Sequence, residues 1–68
     1  MKLDKEKLDI IMAQKQMYIK EICEASGLPK ETFKQARSGA RNPKPKTIGR
    51  IAAALGVDVT EIIETERD

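Results

Sequence analysis

Glycine and proline divide this chain into short segments. Gly27, Gly39 and Gly56 each follow a run with helical periodicity, where a glycine lets the backbone enter the left-handed region that ends a helix. Pro43 and Pro45 restrict their own backbone and that of the residue before each of them, which predicts that the stretch ARNPKPK is not helical. The chain is therefore expected to fold as several short elements joined by tight turns.

The spacing of apolar residues predicts that these elements are helices. Leu8, Ile11, Met12 and Lys15 fall at i, i+3, i+4 and i+7, which makes one inward-facing stripe. No segment alternates apolar and polar residues for long, so strands are not expected. Five helices are expected, over about 4–15, 19–26, 29–38, 47–55 and 59–64. The predicted fold is one all-α domain over residues 1–68, with a core over about 8–63 and a frayed end at 65–68.

Composition excludes most catalytic and metal chemistry. With no histidine and one cysteine among 68 residues, the sequence offers no metal-ligand set, no intrachain disulfide and no nucleophile–base pair. Cys23 is predicted to be a small buried thiol. No cofactor is expected, nor a membrane span, and the N-terminus is too charged for a signal peptide. We expect a cytoplasmic protein that is not an enzyme.

Positive charge is concentrated in one third of the chain. Residues 28–50 hold seven basic residues and one acidic residue, a net charge of +6, whereas the rest holds six basic and ten acidic residues, a net charge of −4. Such a distribution orients a protein toward a polyanion such as DNA.

Two short helices joined by a glycine turn predict a helix-turn-helix, whose second helix enters the DNA major groove. At 100° per residue, five polar residues of that second helix share an arc of about 140°. They are Lys30, Glu31, Lys34, Gln35 and Ser38. The apolar side of the same helix, with Thr32, Phe33 and Ala36, is predicted to face the core.

The stretches IKEICEASGLPKETFKQARSGARNP and KTIGRIAAALGVDVTEII together resemble the lambda-repressor/Cro-like helix-turn-helix regulators, also called the xenobiotic-response-element family. The resemblance covers about residues 8–63. It implies a compact five-helix domain and a DNA-binding transcriptional regulator, expected to be a small repressor of prophage or mobile-element type. An antitoxin that also binds a toxin protein, and a protein-interaction adaptor that does not bind DNA, are the alternatives.

The chain departs from the family pattern at several positions. Ile19 stands where many members have a phosphate-binding Gln, and Tyr18 stands where Ser or Thr often caps the second helix. Many members pair an Arg of the first helix with a Glu near the end of the third, but here those positions are Met12 and Arg37. We therefore expect Arg37 to lack an internal acidic partner and to be free to bind phosphate.

The exposed arc supplies the candidates for base recognition. Gln35 can pair bidentately with adenine, and Lys30 and Lys34 can donate to guanine or hold a phosphate. Glu31 can accept from cytosine N4 or form a salt bridge with Lys34. The alternative for this arc is an ordinary solvated helix face. Seven residues are predicted to contact phosphates: Tyr18, Arg37, Ser38, Arg41, Asn42, Lys44 and Lys46.

Ile62 and Ile63 raise the question of dimerisation, because both side chains need not fit in so small a core. One of them is a possible dimer contact, and plain burial is the alternative. A homodimer would place two recognition helices roughly 34 Å apart and would imply a palindromic double-stranded operator.

Overall fold

The computed structural model describes residues 2–64, which form four α-helices and one turn of 3₁₀ helix. The helices are α1 (Lys5–Lys15), α2 (Ile19–Ser26), α3 (Lys30–Ser38) and α4 (Pro45–Leu55), followed by the 3₁₀ turn at Val59–Glu61. The all-α class is confirmed, but the predicted fifth α-helix over 59–64 is wrong. The predicted frayed end at 65–68 lies outside the described residues. No helix within residues 2–64 is both long and apolar enough to cross a membrane.

The turn between α2 and α3 follows the sequence prediction closely. Gly27 has a φ of 77°, and its N–H donates to the carbonyl oxygen of Cys23 at 2.8 Å. Pro29 precedes α3 with a φ of −64°, and its carbonyl oxygen accepts from the N–H of Phe33 at 3.1 Å. Glycine at this position accepts the left-handed backbone that an L side chain would resist. The turn is thereby fixed by local chemistry.

The fourth helix begins at Pro45, which corrects the prediction of a start near Thr47. Pro45 occupies the first turn of α4, where its missing N–H would have no intrahelical partner. Lys44 is the N-cap, with a φ of −73° and a ψ of 156°, and its carbonyl oxygen accepts from the N–H of Ile48 at 3.1 Å. The second proline of ARNPKPK therefore starts a helix, and only the residues up to Lys44 form the loop.

A single apolar core joins all four helices. Its largest fully buried side chains are Leu8, Ile22, Phe33, Ile48, Ile51 and Ile62. Cys23 is buried beside them as a free thiol, as predicted. The inward stripe of α1 ends with the half-buried Met12, because Lys15 is exposed and does not join the core. Leu3, which lies before the predicted core, is also buried.

Residues 2–4 pair with residues 62–64, at the two ends of the part of the chain that the structure describes. We call these two segments the chain ends. Leu3 and Ile63 form an isolated antiparallel β-bridge. The N–H of Asp4 donates to the carbonyl oxygen of Ile62 at 2.9 Å, and the N–H of Glu64 donates to that of Lys2 at 2.9 Å. This pairing, which the sequence did not predict, takes the place of the expected last helix.

Candidate nucleic-acid interface

The helix α3 has an apolar side and a polar side, as the helical wheel predicts. Phe33 is 0% exposed and Ala36 is also buried, so this side attaches the helix to the core. Lys30, Glu31 and Lys34 are exposed. Among the described residues, none of these three side chains forms a hydrogen bond or an ion pair, so the salt bridge considered between Glu31 and Lys34 is absent there. Their polar groups are available to a ligand.

At the start of α3, two of its lysines meet residues of α2. Lys30 and Lys34 line a shallow depression of about 290 Å³ together with Tyr18 and Lys20. The side chain of Tyr18 is 80% exposed, while its N–H donates to the Glu21 carboxylate and so begins α2. We call this group of four residues the α2–α3 patch. Lys20 was not among the predicted contacts, although its place next to Ile19 at the start of α2 could have indicated it.

Gln35 lies toward the other end of α3, next to the loop that leaves the helix. We call residues 39–44 the exit loop. The side of Gln35 that faces this loop lines a depression of about 280 Å³ together with Arg41, Asn42 and Lys44. Gln35 is half-buried, and Thr32 and Thr47 complete the polar part of the wall. The structure therefore brings the predicted adenine reader beside three of the predicted phosphate contacts.

Hydrogen bonds within the chain give the exit loop its shape. The hydroxyl of Ser38 donates to the carbonyl oxygen of Gln35 at 3.3 Å and accepts from the N–H of Ala40 at 3.3 Å. The N–H of Arg41 donates to the same carbonyl oxygen at 3.4 Å. Gly39 supports this course with a φ of 85°, in the region that favours glycine. A loop fixed in this way loses less entropy when it binds a phosphate.

The expectation that Arg37 lacks an internal acidic partner is wrong. Its Nε donates to Oδ1 of Asp9 at 3.0 Å, and one of its terminal nitrogens lies 3.0 Å from the same oxygen. Asp9 also accepts from Lys5 at 3.2 Å. The charges are reversed relative to the family pair, since the acid lies on α1 and the arginine on α3. Arg37 therefore links α3 to α1, and only its remaining N–H groups are available to bind a phosphate.

The charges around Asp9 set the protonation of its carboxyl group. Partial burial raises the pKa of Asp9, but the hydrogen bonds from Arg37 and Lys5, with the attraction of their charges, hold that pKa below its ordinary value. The side chains of Arg37 and Asp9 are 30% and 36% exposed, so solvent screens this pair. The contact is a modest link between two helices.

Three other predicted residues lie away from the depressions described above. Lys46 is exposed on the first turn of α4. Ile62 is 0% exposed in the core, so the assignment of Ile62 as a possible dimer contact is wrong. Ile63 is half-buried beside the core and keeps part of its surface accessible.

Comparisons with known proteins agree with this geometry. The family model described as the Cro/C1-type HTH DNA-binding domain matches residues 7–68. The structure is similar to the crystal structure of the restriction-modification controller protein C.AhdI from Aeromonas hydrophila. That likeness has a TM-score of 0.76 at 23% sequence identity and covers 84% of this chain and 86% of the other. No curated protein matches the chain in sequence.

Proposed function

This chain belongs to the Cro/C1-type helix-turn-helix DNA-binding family, and from that premise we propose that it is a sequence-specific repressor that inserts α3 into the major groove of its operator. The family accounts for DNA-binding regulation and agrees with the expectation that the chain is not an enzyme. The operator, the direction of regulation and the roles of individual side chains are the content of the proposal.

The observation that supports the proposal best is the exposed side of α3. Three charged side chains, those of Lys30, Glu31 and Lys34, project from a helix whose other side is fixed by Phe33. A helix held in this way can enter a groove about 12 Å wide and present donors and acceptors to base edges. If the exposed side of α3 were only a solvated helix face, there would be no reason for a basic surface at each end of the helix.

Those two basic surfaces suggest how the domain would hold the DNA backbone. The α2–α3 patch lies at the beginning of α3 and the exit loop at its end, so Tyr18 and Lys20 of the patch and the basic residues of the loop would contact phosphates on either side of the groove. Phosphate contacts fix the register of a protein on DNA, whereas contacts with base edges select the sequence. We assign base recognition to Lys30, Glu31, Lys34 and Gln35. Tyr18, Arg41, Asn42, Lys44 and Lys46 are assigned to phosphates, with Arg37 in a secondary role. Ser38 would contact a phosphate only by giving up the hydrogen bond that its hydroxyl donates to Gln35.

The proposed place of the domain on DNA also explains how it would repress transcription. A domain seated in the major groove of an operator that overlaps a promoter blocks other proteins from that DNA. Two copies on a palindromic operator would place their recognition helices roughly 34 Å apart. Ile63 is then the remaining predicted candidate for a contact between copies, because part of its side chain is accessible.

Selection of bound sites from a pool of random duplexes tests the proposal. We expect enrichment of one sequence with inverted half-sites about one helical turn apart. A reporter promoter carrying the selected site should lose expression when the protein is present. Enrichment of no sequence would contradict the proposal and would favour an adaptor. A stable complex with another small protein of the host, in addition to DNA binding, would favour the antitoxin alternative.

A further inference from the structure

The far side of the exit loop carries a third depression, which includes residues from the beginning of the chain. Its volume is about 330 Å³, and its walls contain the side chains of Lys2 and Lys5 together with Arg37, Arg41 and Asn42. Four basic side chains and one acidic side chain, that of Glu64, belong to the described lining, and Asp9, which pairs with Lys5 and Arg37, brings the local net charge to +2. Sequence reasoning did not include Lys2 or Lys5 in the DNA-facing surface.

The exit loop forms the ridge between this depression and the one beside Gln35. Arg41, Asn42 and Pro43 line both of them. A DNA strand that contacts Arg41 and Asn42 and continues over this ridge would reach the depression that the side chain of Lys2 lines.

The pairing of the chain ends determines where Lys2 lies. The carbonyl oxygen of Lys2 accepts from the N–H of Glu64 at 2.9 Å, and the neighbouring Asp4–Ile62 hydrogen bond is also 2.9 Å long. The side chain of Leu3 is buried in the core between these two bonds. The backbone of Lys2 is therefore held while its side chain stays exposed.

We propose that Lys2 is a DNA-phosphate contact and that the pairing of the two chain ends is the element that positions it. This inference rests on the proposed function and extends the phosphate-binding surface past the exit loop. The Lys2 ammonium contacts the same DNA strand that Arg41 and Asn42 contact. The β-bridge between Leu3 and Ile63 thereby has a part in DNA binding, although neither of its two residues touches DNA.

The first test compares Lys2→Ala with Lys2→Arg on the selected operator. Each lysine–phosphate contact releases counterions, so its loss lowers the dependence of log K on log salt by about one unit. Lys2→Ala should show that loss on the operator and on unrelated duplexes alike. Lys2→Arg should retain the wild-type slope because it keeps the charge.

The second test changes the pairing without touching Lys2. Glu64→Pro removes the N–H that holds Lys2, and Glu64→Gln keeps this N–H while removing the same negative charge. We expect Glu64→Pro to lower the salt slope as Lys2→Ala does, Glu64→Gln to leave the slope unchanged, and the double variant Lys2→Ala/Glu64→Pro to lose no more than either alone. Circular dichroism and urea denaturation check that each variant is folded.

The possible outcomes separate this inference from the proposed function. If the wild-type protein binds its operator and Lys2→Ala keeps the full slope, the inference about Lys2 is overturned and the function stands. If Lys2→Ala lowers the slope and a folded Glu64→Pro does not, Lys2 contacts phosphate without help from the chain ends, and the positioning claim is overturned. A wild-type protein without salt-dependent affinity for any duplex would overturn the proposed function itself.

Discussion

The two sides of α3 are built from neighbouring residues and have opposite relations to the rest of the molecule. Phe33 is fully buried, whereas Lys34, the next residue, is exposed and has no polar partner among residues 2–64. The buried side fixes where the helix lies. On the exposed side, the side chains of Lys30, Glu31 and Lys34 form no hydrogen bond or ion pair within residues 2–64 that a ligand would have to displace. Arg37 lies at the border between the two and pairs with α1.

The largest effect is expected from the buried side. Phe33→Ala should lower the free energy of unfolding by about 3–5 kcal/mol, because it removes a large side chain from a closely packed core. A small domain has only about 5–15 kcal/mol in total, so DNA binding should fail together with the fold. Urea denaturation followed by circular dichroism measures the change.

Lys34→Ala is the matched control on the exposed side. Its free energy of unfolding should stay within about 0.5 kcal/mol of the wild-type value, because no described contact is lost. Its affinity for the operator should fall nevertheless. A loss of stability in Lys34→Ala similar to that in Phe33→Ala would show that the two sides are not distinct.

Gln35→Ala sharpens the comparison within the exposed side. If Gln35 reads a base, the variant should lose about 1–3 kcal/mol of discrimination at one base pair of the operator and keep the salt dependence of binding. Competition between the operator and duplexes with single base-pair changes measures this loss. Unchanged discrimination at every base pair of the operator would show that Gln35 does not recognise a base.

Arg41→Ala tests an anchor in the same manner. Arg41 should contribute equally to the affinity for all sequences. Its loss should therefore weaken binding to every duplex alike and lower the salt slope by about one unit. Titrations at several salt concentrations on the operator and on a shuffled duplex provide both values. A sequence-dependent loss would instead assign Arg41 to base recognition.

The smallest effect is expected at the border. A double-mutant cycle with Asp9→Ala and Arg37→Ala should give a coupling free energy of about 0.2–1 kcal/mol, as is usual for a partly exposed ion pair. No coupling would mean that the pair does not link α1 to α3 in solution.

Lowering the pH should remove the stabilisation that the Asp9 carboxylate provides. Because the pKa of Asp9 is lowered in the folded state, its stabilising effect is present above the unfolded value of 3.8 and is lost as the pH falls through the folded value. Asp9→Asn should therefore lose less stability than the wild type when the pH falls through this range. Equal losses in both proteins, measured by urea denaturation at each pH, would contradict this account of Asp9.

Local signals allowed much of the fold and part of the site to be predicted. The glycine turn at Gly27 and the buried position of Phe33 depend on residues close together in sequence, and both are as expected. Pro45 was misassigned because proline is compatible both with a loop and with the first turn of a helix. Of the two prolines in ARNPKPK, Pro45 is the one that starts α4.

Contacts between distant residues were beyond the sequence. Asp9 and Arg37 are 28 positions apart, and no spacing rule joins them. The pairing of Leu3 with Ile63 involves too few residues on each side to produce an alternating pattern. For the same reason Lys2 could not be placed beside the exit loop until the fold brought the chain ends together.

The central claim is that the exposed side of α3 selects the DNA sequence. Its most direct test is the affinity of the wild-type protein and of Gln35→Ala for the selected operator and for a shuffled duplex, measured by fluorescence anisotropy at one salt concentration. The wild type should prefer the operator strongly, and Gln35→Ala should lose part of this preference while its affinity for the shuffled duplex stays the same. Equal affinity of the wild type for both duplexes would contradict the claim.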